Sequence, residues 1–225
     1  MLDVQTYYEQ GIAADKVAPG CEKAFDLFFK AARKKHADAQ YMLGVLIAES
    51  NEEDKYEDAY DWWHKAAKQG HSKAQFNLGV CYSNGAGVEQ DVPLAARWFE
   101  KAAEQQHSNA AFSLARLYYQ GQNIEQSFTK AFQWMSRAAM LGHVNAMADV
   151  SLMCTMGQGI DKPNKIEGYA WALTAESFGF DDTKRIIQSI EKVFTMSSAE
   201  KQQAKQLSDK FISRVKDSLS QNAQY

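Results

Sequence analysis

Apolar residues fall at i, i+3, i+4, i+7 and i+8 in three segments that align with one another. They are Ala59, Trp62, Trp63, Ala66 and Ala67; Ala95, Trp98, Phe99, Ala102 and Ala103; and Ala131, Trp134, Met135, Ala138 and Ala139. That spacing marks one face of an α-helix, here called helix B. Its alanines let another helix approach closely, and its aromatics fill the remaining space. The segments end in a basic-Ala-Ala triplet. Lys30-Ala31-Ala32, Lys65-Ala66-Ala67, Lys101-Ala102-Ala103 and Arg137-Ala138-Ala139 recur at steps of 35, 36 and 36 residues. A fixed period of this size predicts helical hairpins stacked on their neighbours.

A stop follows each helix B: Gln69-Gly70-His71, Gln105-Gln106-His107 and Leu141-Gly142-His143. Glycine there suits the left-handed position that closes a helix. Ser72 and Ser108 come next, where an N-cap is expected. A second helix, A, then carries a core stripe of Ala74, Leu78 and Tyr82 with small Gly79 beside it. Its counterparts are Ala39, Leu43 and Gly44; Ala110, Leu114, Ala115 and Tyr118; and Ala146, Val150, Ser151 and Cys154. Helix A should end at Gly85, Gly121 or Gly157. The turn Gly85-Ala86-Gly87-Val88 and its copy Gly157-Gln158-Gly159-Ile160 need positive φ at the glycines, and the Val or Ile tucks back between the helices. Asp91 caps the next helix, with Pro93 just inside it.

These residues resemble the Sel1-like repeat, a relative of the tetratricopeptide repeat. Its pattern is an Ala-x3-Leu-Gly-x2-Tyr helix, a Gly-x-Gly-Val turn, an Asp cap and a Trp-Tyr-x-Lys-Ala-Ala helix ending in Gly-His. The unit from Ala74 to His107 matches nearly every position, and the resemblance is strong from residue 24 to about 180. It implies an all-α fold, an α-solenoid wound as a right-handed superhelix of Sel1-like hairpins. Residues 3–34 read as a degenerate first unit. The turn Glu49–Lys55 lacks the glycine pair, and Asn123 stands where a second glycine belongs, a residue that tolerates the left-handed region. The last unit carries one extra residue before Trp171.

Beyond Gly179 the period stops. Asp182–Phe194 and Ser198–Leu219 read as two further helices, the second opened by a Ser197/Glu200 capping box and carrying Ala204, Leu207, Phe211 and Val215 on one face. The expected organisation is a repeat array of about five hairpins over residues 1–180, with a helical C-terminal cap over 181–225 that is continuous with it.

Composition narrows the function. The net charge of −3 offers no bulk attraction to nucleic acid or anionic membrane. No apolar run approaches the roughly 20 residues that span a bilayer. The N-terminus shows no basic or apolar leader region, so the chain as written is assigned to the cytoplasm; a processed form would belong to the periplasm. Cys21, Cys81 and Cys154 are odd in number and far apart, which fits reduced, buried thiols rather than a disulfide framework.

Chemical motifs are scarce. His36, His71, His107 and His143 occupy equivalent positions. In stacked hairpins such positions lie about 10 Å apart, too far to share a metal whose ligands sit about 2.1 Å from it. They are expected as corner residues. The acidic run Glu49, Glu52, Glu53, Asp54, Glu57 and Asp58 reads as a solvated loop and helix start. No phosphate-binding loop, His-Glu-x2-His or Gly-x-Ser-x-Gly motif occurs, so no enzyme activity and no cofactor or metal is expected. Cys-rich relatives described as β-lactamase-like carry a cysteine pair per repeat, which this chain lacks.

The face of helix A opposite its core lines the concave groove in tetratricopeptide-like stacks. Here it collects Tyr41; Lys73, Phe76 and Asn84; and Phe112, Arg116, Tyr119 and Gln120 as partner-binding residues. Arg116 and Tyr119 lead, because Arg and Tyr are favoured at binding hot spots. Asn145, Ala148, Leu152, Thr155 and Met156 continue the face. Phe76 and Phe112 also recur where lateral packing between repeats would place them. The expected function is a protein-interaction scaffold or adaptor that holds another protein in the groove, as a monomer or weakly self-associating chain. The alternative, implied by bacterial immunity proteins similar to Sel1-like arrays, is an inhibitor that clamps a toxin or effector enzyme.

Overall fold

The structure, a computed structural model, describes residues 3–50 and 55–222. Among these residues it is all-α, with twelve helices and no strand. Five hairpins come first: α1 (Val4–Val17) with α2 (Glu22–Arg33), α3 (Ala37–Glu49) with α4 (Tyr56–Lys68), α5 (Ser72–Asn84) with α6 (Val92–Glu104), α7 (Ser108–Gln120) with α8 (Phe128–Met140), and α9 (Val144–Met156) with α10 (Lys165–Ser177). Then come α11 (Thr183–Val193) and α12 (Ser198–Asn222). Two compact units divide the chain, Met1–Gln105 and Gln106–Tyr225. The first holds three hairpins; the second holds two, together with α11 and α12. Of the acidic run, Glu52, Glu53 and Asp54 lie outside the described residues.

Within a hairpin the small A-helix residue receives the large B-helix one. A Cβ on Gly79 would fall 2.5 Å from Cδ1 of Phe99, on Gly44 2.5 Å from the Trp63 indole nitrogen, and on Gly11 2.7 Å from the Phe28 ring. The alanines of the B stripe are fully buried, as are Leu43, Leu78 and Leu114. The B-helix tryptophans depart from the expected core stripe. Trp62, Trp98 and Trp134 are only half-buried, each under a cation one turn later: Lys65 at 4.0 Å, Lys101 at 4.3 Å and Arg137 at 5.3 Å from the ring centre. A cation over an indole face is a favourable, largely solvent-exposed contact.

The caps also correct the sequence reading. Ser72 and Ser108 are the first residues of their helices, and the histidine before each is the N-cap. Nδ1 of His36, His71, His107 and His143 accepts the backbone N–H of Ala39, Ala74, Ala110 and Ala146 at 3.1–3.2 Å. Three of these rings also stack on an A-helix aromatic of the preceding hairpin: His36 on Tyr8, His71 on Tyr41 and His143 on Phe112, with centres 4.5, 4.7 and 4.0 Å apart. One imidazole thus closes a helix and joins two hairpins.

An acceptor Nδ1 requires a neutral ring, and protonation would cancel the cap. Burial lowers the pKa of His71 and His143 below the usual 6.5, although Asp38 beside His71 pulls the other way. A depressed histidine pKa means that the unfolded chain takes up the proton first. Its stabilisation is complete above about pH 6.5 and is lost as pH falls below that value. The melting temperature should therefore drop between pH 7.5 and 5.5. The drop should shrink in a His71→Asn/His143→Asn variant, since Asn caps without titrating. An equal drop in both proteins would remove the histidines from the explanation.

Buried amides link the hairpins of the first unit. Gln40 donates to the Ala32 carbonyl at 3.0 Å and accepts from Gln69 at 2.7 Å. One repeat on, Gln75 donates to Ala67 at 3.3 Å and accepts from Gln105 at 2.7 Å.

The inter-helix turns bear out the paired glycines. Gly85, Gly121 and Gly157 close their helices in the left-handed region, and Asn123 adopts φ 59° at the second turn position. Asp91 caps α6 with Pro93 inside it. Gly87 (φ 69°) and Gly159 (φ 78°) meet a second constraint, because each turn rests on the start of the previous B helix. A Cβ on Gly87 would strike the Tyr56 backbone, and one on Gly159 the Phe128 carbonyl oxygen.

Helix α12 opens with the expected capping box: Glu200 N–H donates to Ser197 Oγ at 3.3 Å, and Ser197 N–H to the Glu200 carboxylate at 2.9 Å. It lies mainly along α10 and reaches α8. Trp171, equivalent to the half-exposed tryptophans, is buried here and stacks on Phe211 with centres 4.3 Å apart. No cation follows it; Thr174 stands in that place and pairs with Ser208 at 3.0 Å.

Candidate partner-binding site

Helix α7 ends at Gly121, which leaves Arg116, Tyr119 and Gln120 along its last turn. The carbonyl of Tyr119 is held by the Gln126 side-chain amide at 2.8 Å, just as Gln90 holds Ser83 in the preceding turn at 2.7 Å. This anchors the helix end that presents the three side chains. Helix α9 supplies a parallel row one helical step at a time: Asp149, Leu152, Met153 and Met156. Between the two rows lies a cavity of about 330 Å³, floored by Met135 of α8 and edged by Gln158. It lies wholly within the second unit.

The cavity is apolar with a polar rim. Met135 and Met153 are buried, whereas Leu152, Met156 and Tyr119 remain 36%, 62% and 38% exposed. Large apolar side chains left in water around a concavity are the usual signature of an interaction surface. The Tyr119 hydroxyl donates to Gln158 at 3.3 Å, and its ring meets Phe128 edge-on at 5.3 Å. The Arg116 guanidinium lies 5.9 Å from the centre of the Phe112 ring and is exposed. Asp149 is half-buried, and desolvation holds its carboxyl above the usual carboxylate range, with Arg116 partly opposing.

Three of the eight sequence-derived residues, Arg116, Tyr119 and Gln120, thus meet at one cavity, joined by Leu152 and Met156 of the continued face. Phe112 packs on His143 instead. Tyr41, Lys73, Phe76 and Asn84 belong to the first unit, where Tyr41 stacks on His71 and Phe76 tilts against Phe99 at 5.7 Å, while Lys73 and Asn84 are exposed. Ala148 is buried, and Thr155 bonds back to the Ser151 carbonyl at 2.7 Å, so neither opens to the cavity. Asp149 and Met153 were not read from the sequence. The signal was available as the 149-152-153-156 stripe, offset from the one used.

Burial raises the thiols of Cys81 and Cys154 to about 11 and about 12, leaving them unreactive at neutral pH. Among the described residues no three His, Cys, Asp or Glu side chains converge to hold a metal, and no helix is long and apolar enough to cross a membrane.

The Sel1 repeat matches residues 6–36, 37–71, 72–107, 108–143 and 144–176. A Sel1 repeat protein from Oxalobacter formigenes is 28% identical and superposes with a TM-score of 0.76 over 90% of this chain and 84% of its own. A protective antigen of uropathogenic Escherichia coli strains, with an SLR fold, is 21% identical with a TM-score of 0.55 over 99% of this chain and 56% of its own. An immunity protein from Pseudomonas aeruginosa is 19% identical with a TM-score of 0.50 over 95% and 84%. No curated protein matches the sequence. Five consecutive matches, four of them ending on a histidine cap, make this chain a member of the Sel1-repeat family.

Proposed function

We propose that this protein binds another protein through the face of α7 and α9, acting as a scaffold or adaptor without chemistry of its own. The observation that carries the reading is the apolar cavity ringed by exposed Tyr119, Leu152 and Met156, with Arg116 at its rim. A tyrosine beside an apolar concavity is a residue favoured at binding hot spots. The test is affinity capture from the native organism with wild type and with Leu152→Glu/Met156→Glu. Both side chains are exposed, so the double variant should keep its melting temperature. A stoichiometric partner held by wild type and lost by the variant is expected; one retained by the variant would place binding elsewhere.

The second reading is an inhibitor of a cognate enzyme, and the likeness to the Pseudomonas immunity protein favours it. It predicts a one-to-one complex in which the captured partner is an enzyme that loses activity on binding. An adaptor would leave its partner active or bridge it to a third protein.

A further inference from the structure

We infer that the cavity of the second unit accepts a bulky apolar side chain from a basic segment, with a neighbouring lysine or arginine of that segment placed against Asp149. This rests on the protein-binding reading above and adds the chemistry of the partner.

The volume sets the scale. At about 330 Å³ the cavity is at the small end of ligand sites and suits an inserted side chain with part of its backbone. Its walls are methionine and leucine, unbranched or flexible, which accommodate aliphatic and aromatic anchors alike. Apolar shape alone would leave the partner's charge open.

Two charged groups line the cavity, and their situations differ. Arg116 is exposed and keeps its hydration. Asp149 is half-buried, and among the described residues no hydrogen bond or ion pair reaches its carboxylate. The field of Arg116 offsets only part of the lost solvation. A carboxylate that has surrendered water without gaining a donor improves most when an N–H or cation arrives. A partner carboxylate would bring a like charge to a desolvated one, the costlier arrangement. Arg116 opposes an incoming cation, but from an exposed position where its effect is weak. Asp149 therefore sets the sign of the preferred partner, and Arg116 moderates it.

The full-length protein, immobilised, is panned against a phage-displayed random dodecapeptide library, and enriched peptides are measured by fluorescence anisotropy. Peptides pairing a large apolar residue with a nearby Lys or Arg are expected. Asp149→Asn should weaken them about tenfold or more, the range of a hydrogen-bonded charge. Arg116→Gln, which removes the cation opposing that Lys or Arg, should tighten them. Because Asp149→Asn removes a charge that burial disfavours, that variant should melt no lower than wild type, which separates loss of binding from loss of fold. Peptides carrying Asp or Glu beside the anchor, weakened by Arg116→Gln and indifferent to Asp149→Asn, would overturn the inference. Apolar peptides abolished by Leu152→Glu yet indifferent to Asp149→Asn would overturn it while leaving the site itself standing. No enrichment relative to Leu152→Glu would overturn both.

Discussion

Gly87→Ala should destabilise the first unit by about 3 kcal/mol, whereas Gly85→Ala, two residues earlier, should cost only about 1 kcal/mol. Both glycines have positive φ, 69° and 73°. A side chain there carries the left-handed penalty in either case. The difference lies in what the new Cβ meets. At Gly85 the nearest atom is 3.5 Å away, an ordinary contact. At Gly87 the Cβ would press on the backbone of Tyr56 and come within 2.8 Å of the Glu57 nitrogen. Backbone at the start of α4 cannot rotate away as a side-chain tip can, so the turn must lift off the preceding hairpin. Urea melts of the two variants check this. Equal losses would mean that the turn does not rest on α4 and that dihedral strain alone selects glycine.

Phe211→Ala should cost about 3–5 kcal/mol and shift Trp171 emission to the red. Phe211 is 7% exposed, and its ring lies 18° from parallel with Trp171, whose own exposure is 2%. Truncation would leave a cavity over α10 and let water reach the indole. Lys65, Lys101 and Arg137 shield their tryptophans through exposed cations, so removing any one of them should cost far less. The comparison variant is Lys101→Ala. If it destabilised as much as Phe211→Ala, α12 would not be the cover that the last hairpin depends on.

Much of this architecture was legible in the sequence because it recurs. The triplets, the glycine turns, Asp91 with Pro93, and the Ser197/Glu200 box each follow from backbone demands that few residues meet, and the structure places them as expected. Serine is the commoner N-cap and stands one residue after His71 and His107, which hides these histidine caps from a local reading. What decides the cap is imidazole geometry: Nδ1 reaches the N3 amide while the ring stacks on Tyr8, Tyr41 or Phe112. That dual role is tertiary and has no local signature. The tryptophan positions were visible but their depth was not, since an i+3 lysine signals a covered surface ring only once the neighbouring helix is in place. Asp149 escaped for a similar reason. Its equivalents are Ser113 and Asn77, so the position reads as ordinary helix-surface polarity until Arg116 and the methionines surround it.

The buried glutamines of the first unit have a mechanical meaning. Sliding one hairpin against the next there would tear Gln40 from the Ala32 carbonyl, or Gln75 from that of Ala67, and strand an amide away from water. Such pairs act as latches, holding until they give way together. At the corresponding positions the second unit has Ala111 and Met147, which form no such latch. Small slides between its hairpins cost the exposed Tyr119–Gln158 hydrogen bond and the reshaping of apolar contacts, and methionine yields to that reshaping readily. The half of the chain that carries the cavity is thus the more compliant half, free to change the cavity's width.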